Sequence, residues 1–171
     1  IASYHGSYGK KDYVKFSKGE DVSLCDTGWD RIYITTLFSF EWKTIERCID
    51  FAVSLVNGAT NKIFVGGIAA SLIQEAFLAE SKWRGIRFIK GLLDESPAIS
   101  LHLDEFDGDF YSDDVTDTSI EDRIPDYSIL DDIEYDYPVK DAYFAYASRG
   151  CIRKCKFCGV PKLEGEQRQT P

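Results

Sequence analysis

The first ninety residues alternate between two hydrophobic rhythms. Arg31-Ile-Tyr-Ile-Thr-Thr-Leu-Phe38 is β-branched and aromatic almost without interruption, the pattern of a strand buried on both faces. Trp42, Ile45, Cys48, Ile49, Ala52, Val53 and Val56 then recur at three- and four-residue steps. That spacing predicts an amphipathic helix, stopped by Asn57-Gly58. Lys62-Ile-Phe-Val65 predicts a second buried strand ending in Gly66-Gly67. Residues 69–82 predict a helix with Ile73, Phe77 and Leu78 turned inward, and residues 85–89 a third strand. Asp12-Tyr-Val-Lys-Phe16 is a short alternating stretch, and residues 1–8 read as a helix whose preceding strand lies upstream. Such a strand would be central to the sheet. Strand–helix–strand–helix–strand with short connections demands right-handed crossovers and parallel pairing. The expected fold is α/β, a Rossmann-like parallel sheet with flanking helices over residues 1–95.

The periodicity fails between residues 96 and 141, where Asp, Ser, Gly and Tyr dominate and prolines stand at 97, 125 and 138. This stretch reads as an acidic linker, although Ile124-Pro-Asp-Tyr-Ser-Ile-Leu130 carries enough apolar residues to pack against a domain. Ala142-Tyr-Phe-Ala-Tyr-Ala147 then predicts a strand running into Arg149-Gly150. It would open a separate segment over residues 142–171.

Charge sharpens this division. Residues 104–136 hold fourteen Asp or Glu against Arg123 alone, a local net charge of −13. The total is −9, so the remainder is about +4 by subtraction. A surface like the acidic stretch repels phosphate backbones, which argues against nucleic acid as a partner. No apolar run approaches the ~20 residues a membrane helix requires, and the start does not resemble a signal peptide. The chain begins at Ile1 and contains no methionine, which reads as a piece of a longer protein. Five cysteines, three of them clustered, fit a reducing cytoplasm better than a disulfide framework. Of the other two, Cys48 falls on the apolar side of the predicted helix as a small core residue. Cys25 lies in a turn-like stretch with no assigned role.

The strongest chemical signal is Arg149-Gly-Cys-Ile-Arg-Lys-Cys-Lys-Phe-Cys158. Cys151, Cys155 and Cys158 stand in C-x3-C-x2-C spacing, with an aromatic residue just before the third cysteine. Three thiolates on one loop can hold three irons of a cubane cluster and leave the fourth iron open to another ligand. A zinc site would want a fourth ligand, and His5 and His102 are too distant in sequence to be offered with support. A ferredoxin-type cluster would also need a fourth cysteine.

The run resembles the signature of the radical S-adenosylmethionine superfamily. The resemblance implies that Cys151, Cys155 and Cys158 ligate a [4Fe–4S] cluster and that Phe157 lies near the adenine of S-adenosylmethionine. It implies reductive cleavage of that cofactor to a 5′-deoxyadenosyl radical, with an electron donor as partner and an unknown small-molecule or peptide substrate. Arg149, Arg153, Lys154 and Lys156 could offset the negative charge of thiolates and sulfide. In that family the loop follows the first strand of a (β/α) barrel. The chain ends thirteen residues beyond Cys158, so only the opening of a truncated barrel is expected, and the segment alone is expected to be inactive. Glu164-Gly-Glu166 stands too early to be the element that holds the rest of the cofactor.

Residues 1–95 are similar to the cobalamin-binding Rossmann-like domain that precedes the barrel in many members. Thr35-Thr36-Leu37 is similar to its S-x-L element, and Gly66-Gly67 matches its Gly-Gly. The resemblance implies a shared sheet edge with Thr35, Leu37, Gly66 and Gly67 as its cobalamin-like residues. The D-x-H-x-x-G element, which supplies the cobalt-ligating histidine, has no counterpart, so the likeness is one of fold more than of cobalamin binding. A methylthiotransferase-type front domain would carry three more cluster cysteines, which Cys25 and Cys48 do not supply. The alternative from a different class is a non-catalytic binding or interaction module with a vestigial cysteine loop.

Overall fold

The computed structural model describes residues 1–6, 12–93, 124–134, 142 and 144–169. Packing divides the chain into two units, Ile1–Lys18 with Pro97–Ala145 and Gly19–Ser96 with Tyr146–Pro171.

The second unit carries the sheet. Strands β1 (Ile32–Thr36), β2 (Ile63–Gly67) and β3 (Arg87–Phe88) form a parallel three-stranded sheet in the order β1-β2-β3. β1 and β2 run in register from Ile32 opposite Ile63 to Thr36 opposite Gly67. The α/β character and parallel pairing read from the sequence are therefore present. Burial on both faces is found for β2, whose Ile63, Phe64 and Val65 are all buried, and not for β1. Among the described residues β1 is an edge strand and mostly half-buried, and Leu37 and Phe38 fall beyond its end, exposed.

Helix α2 (Trp42–Leu55) occupies the predicted place and buries Ile45, Ile49 and Ala52 against the sheet. Asn57, at φ 50°, and Gly58, at φ 80°, end it. The left-handed backbone there suits Gly and Asn, as the sequence indicated. Residues 69–82 depart from the single helix expected. Helix α3 (Ile68–Leu72) breaks at Ile73, and α4 (Gln74–Leu78) follows, then a 3-10 turn Ser81–Trp83. The break leaves Gln74 Nε2 donating to the Phe88 carbonyl at 2.7 Å and Phe77 fully buried. Leu78, expected inward, is exposed instead.

Phe77 joins Trp42, Trp83 and Phe88 in an aromatic cluster with ring centroids 4.8 to 6.1 Å apart. Trp83 keeps its polar end satisfied while buried, since Nε1 donates to Asp50 Oδ1 at 2.8 Å. Lys82 bridges Glu46 at 2.7 Å and Asp50 at 2.9 Å.

The first unit is described only in pieces. Helix α1 (Ala2–Gly6) overlaps the predicted amino-terminal helix. Residues 12–16 are not a strand; Lys15 Nζ and the Phe16 amide both donate to the Asp132 carboxylate, at 3.0 and 2.9 Å. Asp132 closes a 3-10 stretch, Tyr127–Asp132, that buries no side chain fully, and Ile124 before it is exposed, so polar ties rather than apolar packing hold this part of the acidic region. The rest of the predicted linker lies outside the described residues. Phe144 to Ala147 are exposed and not in a strand, contrary to expectation. Pairing starts instead at β4 (Ser148–Arg149), which is antiparallel to β5 (Arg168–Gln169). The segment between them, residues 150–167, turns back on itself and brings the two short strands together antiparallel.

Candidate functional site

The cysteine segment is built as a closed loop. β4 and β5 bring its two ends side by side, with Ser148 opposite Gln169 and Arg149 opposite Arg168. Just inside that pair, Gly150 adopts φ 78°, and a Cβ there would sit 2.3 Å from the Glu166 carbonyl oxygen. Only glycine meets both conditions without distortion. The Glu164 carboxylate accepts the Gly150 amide at 2.8 Å and Arg149 Nη1 at 3.4 Å. The Cys151 amide donates to the Gly165 carbonyl at 3.4 Å. Arg168 Nη1 donates to the Glu164 carbonyl at 2.8 Å, and Arg149 also covers the Tyr146 ring at 4.1 Å.

Within the loop, the Cys158 amide donates to the Cys155 carbonyl at 3.1 Å, and the Arg153 amide donates to Cys151 Sγ at 3.4 Å. All three thiols are half-buried, while Ile152 and Phe157 are exposed, Phe157 at 94%. Helix α5 (Val160–Leu163) follows, with a proline in its first turn, where a missing amide costs nothing. Gly159 lies against α3: a Cβ there would stand 3.1 Å from Leu72 Cδ1. The cysteine loop therefore ends on the helix that begins at the Gly-Gly pair.

Among the described residues, no three His, Cys, Asp or Glu side chains are gathered to hold a metal ion. The donor set itself fits a cluster: three thiols, the soft ligands that iron–sulfur centres take, on one loop tied at its base. The residues between Cys151 and Cys158 would have to draw the thiols inward.

The other predicted site residues lie together at the carboxyl ends of β1 and β2, with Thr35 opposite Gly66. Thr35 and Leu37 are exposed there and Gly66 is half-buried. The residue that organises this edge is Thr36, which sequence reading passed over. It is buried, its Oγ1 donates to the Gly66 carbonyl at 2.7 Å, and it accepts the Ala70 amide at 2.9 Å. Gly67, at φ 95°, is required because a Cβ would lie 2.4 Å from the Thr36 carbonyl oxygen. Gly66 is under no such demand, its nearest Cβ contact being an ordinary 3.8 Å. Ser71 Oγ completes the turn by donating to the Gly67 carbonyl and accepting the Gly91 amide. The close approach of β1 to β2 at Thr36 accounts for Gly67 without a ligand.

The two remaining cysteines differ from the loop cysteines. Burial, then the nearby charge of Glu20, push the Cys48 thiol up from its ordinary value against a smaller opposing effect of Arg47. That keeps the thiol protonated, although Cys48 is only half-buried and not part of the core expected for it. Cys25 is exposed in the 3-10 turn Val22–Asp26. His5 pairs through Nδ1 with Asp12 at 2.9 Å, within the first unit. No described helix is long and apolar enough to cross a membrane. No protein-family model, curated protein or solved structure matches this sequence.

Proposed function

We propose that the chain is the amino-terminal portion of a cytoplasmic radical S-adenosylmethionine protein, with a Rossmann-like front domain and the cluster loop that opens a barrel. Cys151, Cys155 and Cys158 would hold a [4Fe–4S] cluster. When bound, that cluster would supply the electron that cleaves S-adenosylmethionine to a 5′-deoxyadenosyl radical. The observation that carries the reading is the C-x3-C-x2-C spacing on a loop whose two ends are tied together. Phe157 offers an uncovered aromatic face for an adenine to stack on. Arg153, Lys154 and Lys156 place positive charge beside thiolates that must be deprotonated to act as ligands. An electron donor and a small-molecule or peptide substrate would complete the system.

Cobalamin gains no support from the front domain, because Thr36 and Gly67 are occupied in joining β1, β2 and α3. A second reading, a binding module with a vestigial loop, is favoured by the ungathered thiols. Anaerobic reconstitution with ferrous iron and sulfide divides the two. A broad absorbance at about 400 nm, lost in Cys155→Ala, is expected of a cluster site. No absorbance in the parent chain would leave the module.

A further inference from the structure

We infer that Glu164 is a positioning residue for the cysteine loop, a role that rests on the cluster reading above. Its carboxylate is the one side-chain group described that reaches the backbone immediately before Cys151, at 2.8 Å to the Gly150 amide. Its other oxygen meets Arg149, and both side chains are largely withdrawn from solvent, at 24% and 16% exposure. Its own amide donates to the Val160 carbonyl at 2.8 Å, so it is fixed to the end of α5, the helix that follows Cys158. Glu164 thus spans the two sides of the loop: one end of the residue belongs to the chain leaving Cys158, the other holds the chain arriving at Cys151.

Burial contributes little to this junction. The thiols sit on a segment with no fully buried side chain, so the separation of Cys151 from Cys155 and Cys158 depends on a few polar ties. A half-buried carboxylate that accepts a backbone amide and a guanidinium is the strongest kind of tie available there. Groups that orient metal ligands without touching the metal typically change its retention by about 10-fold or more when removed.

The test is cluster retention by the reconstituted chain under challenge with a ferrous chelator, followed by absorbance and by iron per chain. Glu164→Ala is expected to lose its cluster about 10-fold faster than the parent. Glu164→Gln, which keeps an oxygen for the Gly150 amide, is expected to stay within about 3-fold of the parent, since it loses only the charge on Arg149. Gly150→Ala strikes the same junction from the other strand and is expected to match Glu164→Ala, which covers the case where that variant fails to fold. Equal retention in Glu164→Ala and parent would overturn the proposal. If the parent takes up no cluster, the cluster reading falls separately. Amide exchange of Gly150 and Cys151 in the metal-free protein then decides the positioning role: faster exchange in Glu164→Ala upholds it, and unchanged exchange refutes it.

Discussion

The sheet and the cysteine loop belong to one packing unit, yet they are held in opposite ways. Around β2 the chain buries Ile49, Ile63, Val65, Phe77 and Trp83 almost completely. Hydrophobic burial is non-directional and summed over many atoms, so no single hydrogen bond decides that region. The loop from Gly150 to Glu166 buries no side chain fully. Its shape depends on directional contacts, above all the Glu164 carboxylate on the Gly150 amide and the positive φ of Gly150. One region resists change by volume, the other by geometry at a few atoms.

Deleting volume should therefore separate them most sharply. Phe77→Ala opens the centre of the aromatic cluster and is expected to cost about 3–5 kcal/mol in denaturant unfolding. A loss under about 1 kcal/mol would mean that the cluster is not the core of the unit. Gly67→Ala comes next. A side chain at φ 95°, pressed on the Thr36 carbonyl, is expected to cost on the order of 3 kcal/mol. The companion Thr36→Val removes an acceptor from the buried Ala70 amide and should cost about 1–3 kcal/mol. The same measurement checks both.

The contrast also governs what could be read from residues alone. Helix α2 was legible because its apolar residues repeat at the helical period and Asn57-Gly58 marks its end. Parallel pairing was legible from the alternation of elements. The division of residues 69–82 into α3 and α4 was not, since Ile73 and Gln74 carry no breaker signal and the break accompanies a contact from Gln74 to β3. The stretch before the cysteines misled for a related reason. Tyr and Phe favour strands, but Phe144 to Ala147 have no partner strand among the described residues, and propensity without a partner does not make a sheet. At the loop, the cysteine spacing was visible and Glu164 was not, because a single carboxylate gains its meaning only when the chain folds back on Gly150. Thr36 was hidden similarly, standing between the two residues that the motif drew attention to.

Gly150→Ala turns the comparison round. Its Cβ would overlap the Glu166 carbonyl as severely as Gly67→Ala overlaps Thr36, at 2.3 against 2.4 Å. Overlap alone would rank them equal. The loop, however, can open without exposing a core, so the cost is capped by the small free energy of that local opening. Global unfolding of Gly150→Ala is expected to differ from the parent by less than about 1 kcal/mol. Amide exchange at Cys151 should nevertheless rise. A global loss as large as that of Gly67→Ala would show the loop and the sheet to be one cooperative structure.

The smallest effect expected lies on the polar rim of the core, where Asp50 receives Lys82 and the Trp83 indole. Partial burial pushes the Asp50 carboxyl up, but the hydrogen bonds from Lys82 and Trp83, with the charge of Lys82, outweigh it and hold the group below its ordinary 3.8. A carboxyl depressed on folding adds stability that is fully present above 3.8 and is lost as the pH falls through the lower folded value. Lys82 shifts the other way, raised chiefly by its hydrogen bonds to Glu46 and Asp50, so its contribution is complete below 10.5 and fades only as the pH rises through its raised value. Between those limits neither group changes stability with pH. Asp50→Asn retains an oxygen for the Trp83 indole and removes the charge. Its melting temperature should lie slightly below that of the parent near neutrality, and the two curves should converge as the pH drops beneath 3.8. A gap that persists unchanged to low pH would mean that Asp50 acts through shape rather than charge. The rim would then belong with the buried core rather than with the polar ties that shape the loop.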